Sequence, residues 1–425
     1  MSDLFGTQRP APVSPEETEL SHIVPLPRIS LQAFCETPEL AGTIEAAAAD
    51  RRMSKVHVKL QMGGAPAAVE AYSEASTPNV IAIESIGNRD SLLDSLDRLA
   101  GVCDPGTKVV VVGHVNDVLL YRELMRRGVS EYLIAPVEHL AFIQSLSELF
   151  HGDKAEPLGR VIAVYGAKGG CGASTIAHNL GWTIARHLQL ATVIVDLDLP
   201  FGTAGLDFNQ DPPQGIVDAV STPERLDATL LERLLSTLAD NLNLLSAPAT
   251  LDRLFDFEQN AFDAVMDLLR SSVPCIVLDL PHQWTAPIRH LLLAADHILL
   301  VAEPDLANLR NAKSMHELLK SARPNDSHPR LLLNKTGVPK RPEIAIADFA
   351  KAVGVDATII PYDAQLFGSA ANNGQMISEI QANGKHAEIF LSLARTLTGR
   401  AEIRKSKFNL PLKLPFLKKM ASRKG

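Results

Sequence analysis

The stretch Val161–His178, VIAVYGAKGGCGASTIAH, decides how the chain reads. Val161–Tyr165 is a short, continuously apolar run, the pattern of a parallel strand covered on both faces. Glycines crowd the residues that follow, at 166, 169, 170 and 172. Beyond them Ile176, Ala177, Leu180 and Ile184 fall at helical spacing. Strand, glycine loop and helix in that order form a phosphate cradle. The glycines let consecutive backbone N–H groups turn inward, and the helix N-terminus adds partial positive charge. Against the spacing G-x-x-x-x-G-K-[ST], Gly172 is the second glycine and Ser174 supplies a hydroxyl for magnesium. The first glycine position falls on Ala167, with Gly166 one residue earlier. Ala173 stands where the usual lysine would be, and Lys168 appears early in the loop instead. An incidental glycine turn would leave Ser174-Thr175 at this spacing unexplained.

The run Lys168-Gly169-Gly170-Cys171-Gly172-Ala173-Ser174-Thr175 resembles the deviant phosphate loop of the ParA/MinD ATPases. With a small residue at 173 it is similar to the CpaE/TadZ pilus-assembly branch. The resemblance implies ATP and Mg2+ as ligands, with residues 169–175 around the phosphates. It also implies that Lys168 reaches the nucleotide of a partner copy in a homodimer. Ala173 sets an expectation of weak or absent hydrolysis. The missing ammonium would have neutralised charge building on the transferred phosphoryl group.

With 425 residues the chain is long enough for two or three domains, and 46% hydrophobic residues permit a sizeable core. A net charge of −8 gives no general reason to expect nucleic acid, so no DNA partner is expected. Cys35, Cys103, Cys171 and Cys275 lack metal or disulfide spacing and suit a reducing cytosol. Met1–Ser30 is polar and proline-broken, without the pattern of a signal peptide. No apolar run approaches the roughly 20 residues of a membrane span.

Residues 1–52, with five prolines among the first 27 residues, read as a flexible arm, in which Leu40–Ala49 is at most a transient or docking helix. Residues 53–150 alternate strands (Val56–Leu60, Val80–Ile83, Val109–Val112) with helices (Ala67–Ser73, Ser91–Leu99, Val118–Arg127, Leu140–Leu149), which predicts a doubly wound sheet. Gly128–Pro136 resembles the end of a response-regulator receiver domain, so a flavodoxin-like fold is expected. The receiver chemistry is missing. Its phosphate-accepting aspartate would fall at Glu84, and its acidic pair is sought after Val56–Leu60, where Lys59 and Gln61 stand. Gly113 holds the hydroxyl position and Ala135 the lysine position. An atypical receiver used for docking is expected. Residues 151–159 read as a linker. Residues 160–399 are expected, from the same resemblance, to form a second α/β unit of the P-loop NTPase, MinD-like (SIMIBI) class.

In that unit Ala191–Val195 ends in Asp196 and Asp198, spaced to share one side of a strand end, where ligands of open α/β sheets bind. The resemblance places Asp196 near magnesium and Asp198 beside the attacking water. The alternative is a solvated turn with capping acids. Cys275–Pro281 reads as a strand ending in Asp279, a Walker B arrangement expected to hold Mg2+ through water, the alternative being a strand-end acid that caps the next turn. His282 either touches the γ-phosphate or lines a pocket. By resemblance Asn334 meets the adenine edge, and the Pro361 loop stacks on the base. Leu226–Leu238 carries helical spacing.

Residues 400–425 are basic with interleaved apolar side chains. They are read as an anionic-membrane contact, a partner-docking peptide or a solvated tail, and Pro411 and Pro415 oppose one continuous helix. Taken together, the resemblance implies an ATP-dimerising localisation factor for Flp/Tad pilus assembly. Expected partners are the pilus/secretion ATPase and polar localisation proteins, at the cytoplasmic side of a cell pole and peripheral to the inner membrane. The alternative is an active ParA/MinD-type positioning ATPase.

Overall fold

In the computed structural model Ile29, Leu31, Ala33 and Cys35 form one face of a strand inside a sheet, and Phe34 is buried on the other face. The structure describes residues 23–73, 75–151, 158–212, 214–248, 251 and 254–400. The first unit runs β1 (Ile29–Cys35), α1 (Pro38–Ala48), β2 (Val56–Met62), α2 (Gly64–Tyr72), β3 (Val80–Ser85), α3 (Arg89–Ala100), β4 (Lys108–Gly113), α4 (Val118–Arg126), β5 (Glu131–Ile134) and α5 (His139–His151). Its five parallel strands are ordered β2-β1-β3-β4-β5, the flavodoxin-like winding.

The expectation of a flexible arm over residues 1–52 therefore fails for residues 29–52. β1 sits between β2 and β3, and its Leu31, Ala33 and Cys35 pack with Leu40 and Ile44 of α1 and Phe142 and Leu146 of α5. The start of α1 was written in the chain: Thr37 caps it by accepting the Leu40 amide at 3.2 Å, and Pro38 takes the first turn. The remainder of the expected arm up to residue 22, residues 152–157 of the linker, and the tail from 401 lie outside the described residues.

With β1 in place, the receiver comparison shifts. The acid after the first strand is Glu36, and Lys59 and Gln61 lie on the edge strand β2. Glu84, near the end of β3, is buried. Its carboxylate accepts the amides of Glu36 and Thr37, both at 2.7 Å, the Thr37 hydroxyl at 2.7 Å, and meets His114 Nε2 at 3.0 Å. Burial alone would raise its pKa; the Thr37, Glu36 and His114 contacts outweigh burial and lower it. The carboxylate thus fastens the start of α1. Glu84→Gln is expected to cost about 2 kcal/mol at neutral pH, because an amide offers donors where donors already point. Urea denaturation of the two proteins measures this. Since the folded pKa is depressed, the difference should be full above the unfolded value of about 4.3 and shrink as pH falls below it.

The second unit runs β6 (Arg160–Gly166), α6 (Ala173–His187), β7 (Thr192–Asp196), α7 (Ala204–Asp207), α8 (Ile216–Ser221), α9 (Ala228–Leu234), β8 (Ser236–Ala239), β9 (Leu242–Leu245), α10 (Asp263–Ser272), β10 (Cys275–Leu280), α11 (Ala286–Ala294), β11 (His297–Ala302), α12 (Leu306–Ala322), β12 (Arg330–Thr336), α13 (Ile346–Val353), β13 (Ala357–Pro361), α14 (Ala364–Asn373), α15 (Ile377–Ile380) and α16 (Lys385–Thr398). Its eight strands are ordered β13-β12-β11-β6-β10-β7-β9-β8, all parallel except the antiparallel edge β8. The helix expected over Leu226–Leu238 stops at Leu234, and its last residues form β8. β6 is buried on both faces. Ile162 and Val164 pack with Ile176, Leu180 and Ile184 of α6, while Val161, Ala163 and Tyr165 pack with Val265 and Leu269 of α10. Among the described residues no helix is long and apolar enough to cross a membrane.

The two units meet through charge. Arg51 and Arg52 reach Asp326 at 2.7 and 2.8 Å, Arg51 also reaches Asp296 at 3.3 Å, and Asn325 donates to Asp50 at 2.9 Å.

Candidate functional site

Ala167 begins the turn from β6 by donating its amide to Val301 of β11 at 2.7 Å. The loop that follows is braced from outside by its carbonyls. His282 Nδ1 lies 2.8 Å from the Gly166 carbonyl, and Asn311 donates to that of Ala167 at 2.8 Å. Lys335 donates to Gly170 at 2.5 Å and Asn334 to Cys171 at 2.8 Å. The Cys171 thiol, itself buried, donates to Val301 at 3.3 Å. Among the described residues nothing accepts from the amides of Gly169, Gly170 and Gly172. Carbonyls held outward and free amides are what a phosphate cradle requires. Gly170 and Gly172 have φ of +82° and +91°, in the left-handed region. Gly172 is also the N-cap of α6, with no side chain closing the helix end, and Ser174 and Thr175 lie in its first turn.

β7 and β10 are neighbours in register, so Asp196 and Asp279 end side by side. The two acids are employed differently. Asp196 accepts the amides of Asp198 and Ala204, both at 3.1 Å, and so shapes the segment after β7. Its burial, with Asp279 beside it, pushes its pKa up to about 7. Asp279 is 1% exposed, and neither of its oxygens has a hydrogen-bond partner. His178 Nε2 lies 3.2 Å away without hydrogen-bonding it, so the buried carboxylate keeps its lone pairs for a cation, which fits Mg2+ brought in with phosphate oxygens and the Ser174 hydroxyl. Asp198 accepts the Phe201 amide at 3.3 Å and stands at the mouth of the crevice, partly exposed.

Lys168 is half exposed, with Asp305 its ion partner at 3.7 Å. Asn334, by contrast, is 5% exposed and lies beneath the loop, so tethering Cys171 is a task the sequence reading did not give it. His282 also braces the loop through the Gly166 carbonyl, a task beyond the two read from the sequence. Pro361 ends the edge strand β13, and its carbonyl meets His386 Nε2 at 3.0 Å.

The sequence reading missed His178. It is fully buried on α6, with Nδ1 2.7 Å from Asp207 and Nε2 3.2 Å from Asp279. Burial by itself would lower its pKa; the two carboxylates reverse that and raise it to about 10. The signal was available: a polar residue four positions after Ser174, hence on the same helix face, inside an otherwise apolar stripe. Lys335 and its partner Glu303, 2.9 Å apart at the rim of the loop, were also missed.

A glycine loop between a buried parallel strand and a helix, with the strand-end acids Asp196 and Asp279 side by side, is the arrangement of the P-loop NTPase fold. Comparisons with known proteins agree. The family model for cellulose biosynthesis protein BcsQ matches residues 160–341. A pilus assembly protein CpaE from Caulobacter crescentus CB15 is 52% identical over 30% of this chain and 96% of its own, with a TM-score of 0.29. The septum site-determining protein MinD of Synechocystis sp. is 26% identical over 57% of this chain and 91% of its own length. A ParA family ATPase from Chlorobium tepidum TLS shares the fold at 23% identity and a TM-score of 0.51, covering 56% of this chain and 98% of its own. The chain belongs to the CpaE-type group of the ParA/MinD superfamily.

Proposed function

We propose that this protein is an ATP-binding, ATP-dimerising localisation factor for Flp/Tad pilus assembly, with weak or no hydrolysis. The loop with outward-held carbonyls carries the reading: it is arranged for phosphate before any ligand arrives. Residues 169–175 would hold the phosphates, with Ser174 and Asp279 serving the Mg2+ that accompanies them and Asp196 ordering the neighbouring segment. The metal would neutralise phosphate charge. Asp198 would orient water, while Ala173 leaves the loop without the ammonium that would stabilise transfer. Asn334 and the Pro361 loop would serve the base, as the family resemblance implies. Similarity to the Caulobacter pilus assembly protein supports the pilus role; its partners would be the pilus/secretion ATPase and polar localisation proteins. The receiver-like unit would serve docking.

Titrating ATP with and without Mg2+, then measuring mass by analytical ultracentrifugation, tests the reading. Binding with dimerisation and slow turnover supports it; rapid turnover favours a positioning ATPase; no binding removes it. The Lys168 side chain is half exposed, with Asp305 3.7 Å away as its ion partner, so Lys168→Ala should leave the melting temperature unchanged. It should weaken ATP-dependent dimerisation roughly tenfold, the loss of one charge-assisted contact. Normal dimerisation by this variant would remove the cross-subunit role.

A further inference from the structure

The sequence from Phe408 to Phe416 reads FNLPLKLPF, with Phe408, Leu410, Leu412, Leu414 and Phe416 at every second position. Apolar residues at that period share one face when the backbone is extended. On a helix Phe408, Leu412 and Phe416 would fall on one side, and Leu410 and Leu414 on the opposite one. Pro411 and Pro415 bar a regular helix and bias the residues before them toward extended backbone. An extended strip with one apolar face fits a groove, whereas a lipid surface takes an amphipathic helix. Lys405, Lys407, Lys413, Lys418 and Lys419 make the strip basic within and at both ends.

A groove of matching chemistry lies where the two units meet. The described residues form a cavity of about 850 Å3 between Pro25, Leu26 and Pro27, which lead into β1, and Phe257, Met266 and Leu291 of the second unit. Asp256 and Glu258, both exposed, line its second-unit wall. The other acids of that wall are engaged, Asp263 by His290 at 2.8 Å and Asp267 by Lys55. Among the cations, Arg51 and Arg270 are held by Asp296 at 3.3 and 3.2 Å, and Arg28 stands on the first-unit wall. Basic residues are thus drawn to the side of Asp256 and Glu258. The described chain also ends close by. Val161 of β6 lines the cavity, and its neighbour Arg160 donates to the Leu397 carbonyl at 2.6 Å, near the end of α16. Residues 401–407 then precede Phe408, a reach of up to about 25 Å.

We infer that this cavity is the docking groove of the chain's own segment Phe408–Phe416, which lays its apolar face between the two units and its lysines toward Asp256 and Glu258. Walls from both units then grip one strip, so the docked segment ties the receiver-like unit to the P-loop unit. While docked, it is withheld from any lipid or partner. The cavity lies where β6 begins, whereas the phosphate loop follows the end of β6 at Gly166, so the inference stands apart from the nucleotide reading.

The full chain with p-benzoylphenylalanine in place of Leu412 tests it. After irradiation at low protein concentration, mass spectrometry should find cross-links within one chain to residues 24–28 or 254–267. Asp256→Lys together with Glu258→Lys, at exposed positions, should lower their yield several-fold. In the full chain with Leu410→Glu and Leu414→Glu, amide hydrogen exchange over residues 254–262 should quicken about tenfold as that wall is uncovered. Neither pair of changes touches the core of either unit, so folding is kept. Cross-links to other parts of the chain, or between two chains, overturn the docking. Unchanged exchange overturns it as well: slow in both proteins, the wall is covered by another occupant such as residues 1–22; fast in both, by none. An absence of cross-links also overturns it, and sedimentation of that chain with phosphatidylglycerol vesicles would then assign the tail to lipid.

Discussion

Asp326→Ala is expected to destabilise the protein by about 3–5 kcal/mol, the cost of stranding buried charges by removing one partner. Asp326 receives Arg51 at 2.7 Å, Arg52 at 2.8 Å and Arg323 at 3.2 Å, and its side chain is 6% exposed. Arg52 is buried almost completely, so losing Asp326 leaves its charge with one carboxylate fewer, while Asp50 stays 3.0 Å away. Arg51 keeps Asp296, which already serves Arg270 at 3.2 Å. An exposed pair such as Lys313–Glu317, 3.9 Å apart, gives a contrast: Glu317→Ala should change stability by less than about 0.5 kcal/mol. Urea denaturation followed by circular dichroism reads both. The pH dependence has a definite sign. Burial alone would raise the Asp326 pKa, but Arg51, Arg323 and Arg52 more than reverse it, and Asp296 is lowered in the same way by Arg270 and Arg51. Folded values below the unfolded one of about 3.9 mean that the stabilisation is fully present above it and fades as pH falls toward the folded values. Wild type and variant should therefore differ most at neutral pH and converge in acid. A constant gap across that range would mean that the loss comes from packing and not from charge.

This cluster also marks where the sequence stopped being informative. Asp50-Arg51-Arg52 is an ordinary charged tripeptide until folding brings it against residues some 270 positions away. His178 was hidden for the same reason, because its meaning lies in Asp207 and Asp279, which reach it only through the fold. What was legible is what chemistry ties to local order. The glycine loop needs its strand before it and its helix after it, and strand-end acids must end apolar runs; Asp196 and Asp279 were found that way. β1 was missed because flanking prolines and acids lend residues 1–52 the composition of an open chain, although Ile29, Leu31, Ala33 and Cys35 keep a two-residue period. Once β1 was passed over, the search for receiver acids moved to the wrong strand and away from Glu36. The leucines of 226–238 satisfy a helix and a short strand equally, and pairing of Thr237 with Asn243 of β9 decides the matter.

Gly172→Ala is expected to lower affinity for Mg2+-ATP about 100-fold, near 3 kcal/mol at roughly 1.4 kcal/mol per factor of ten. Two causes act at this residue. Its φ of +91° is a conformation that a side chain disfavours by about 1–2 kcal/mol. An added Cβ would also lie 2.4 Å from Asn334 Nδ2, the group that holds the Cys171 carbonyl outward. Relief requires Asn334 to retreat or the loop to turn. Either movement releases the Cys171 carbonyl and misdirects the amides meant for phosphate. Gly170→Ala separates the two causes. Its φ is +82°, yet nothing lies within 4 Å of the added carbon, so only the conformational penalty applies and the loss should be near tenfold. Neither change touches the apolar contacts of β6 or α6, so both variants should keep the far-ultraviolet circular dichroism of the parent. Isothermal titration with Mg2+-ATP orders the three proteins. Equal affinities at 170 and 172 would show that the hold of Asn334 on the loop contributes nothing to phosphate binding. Parent-like affinity in both would place the nucleotide elsewhere.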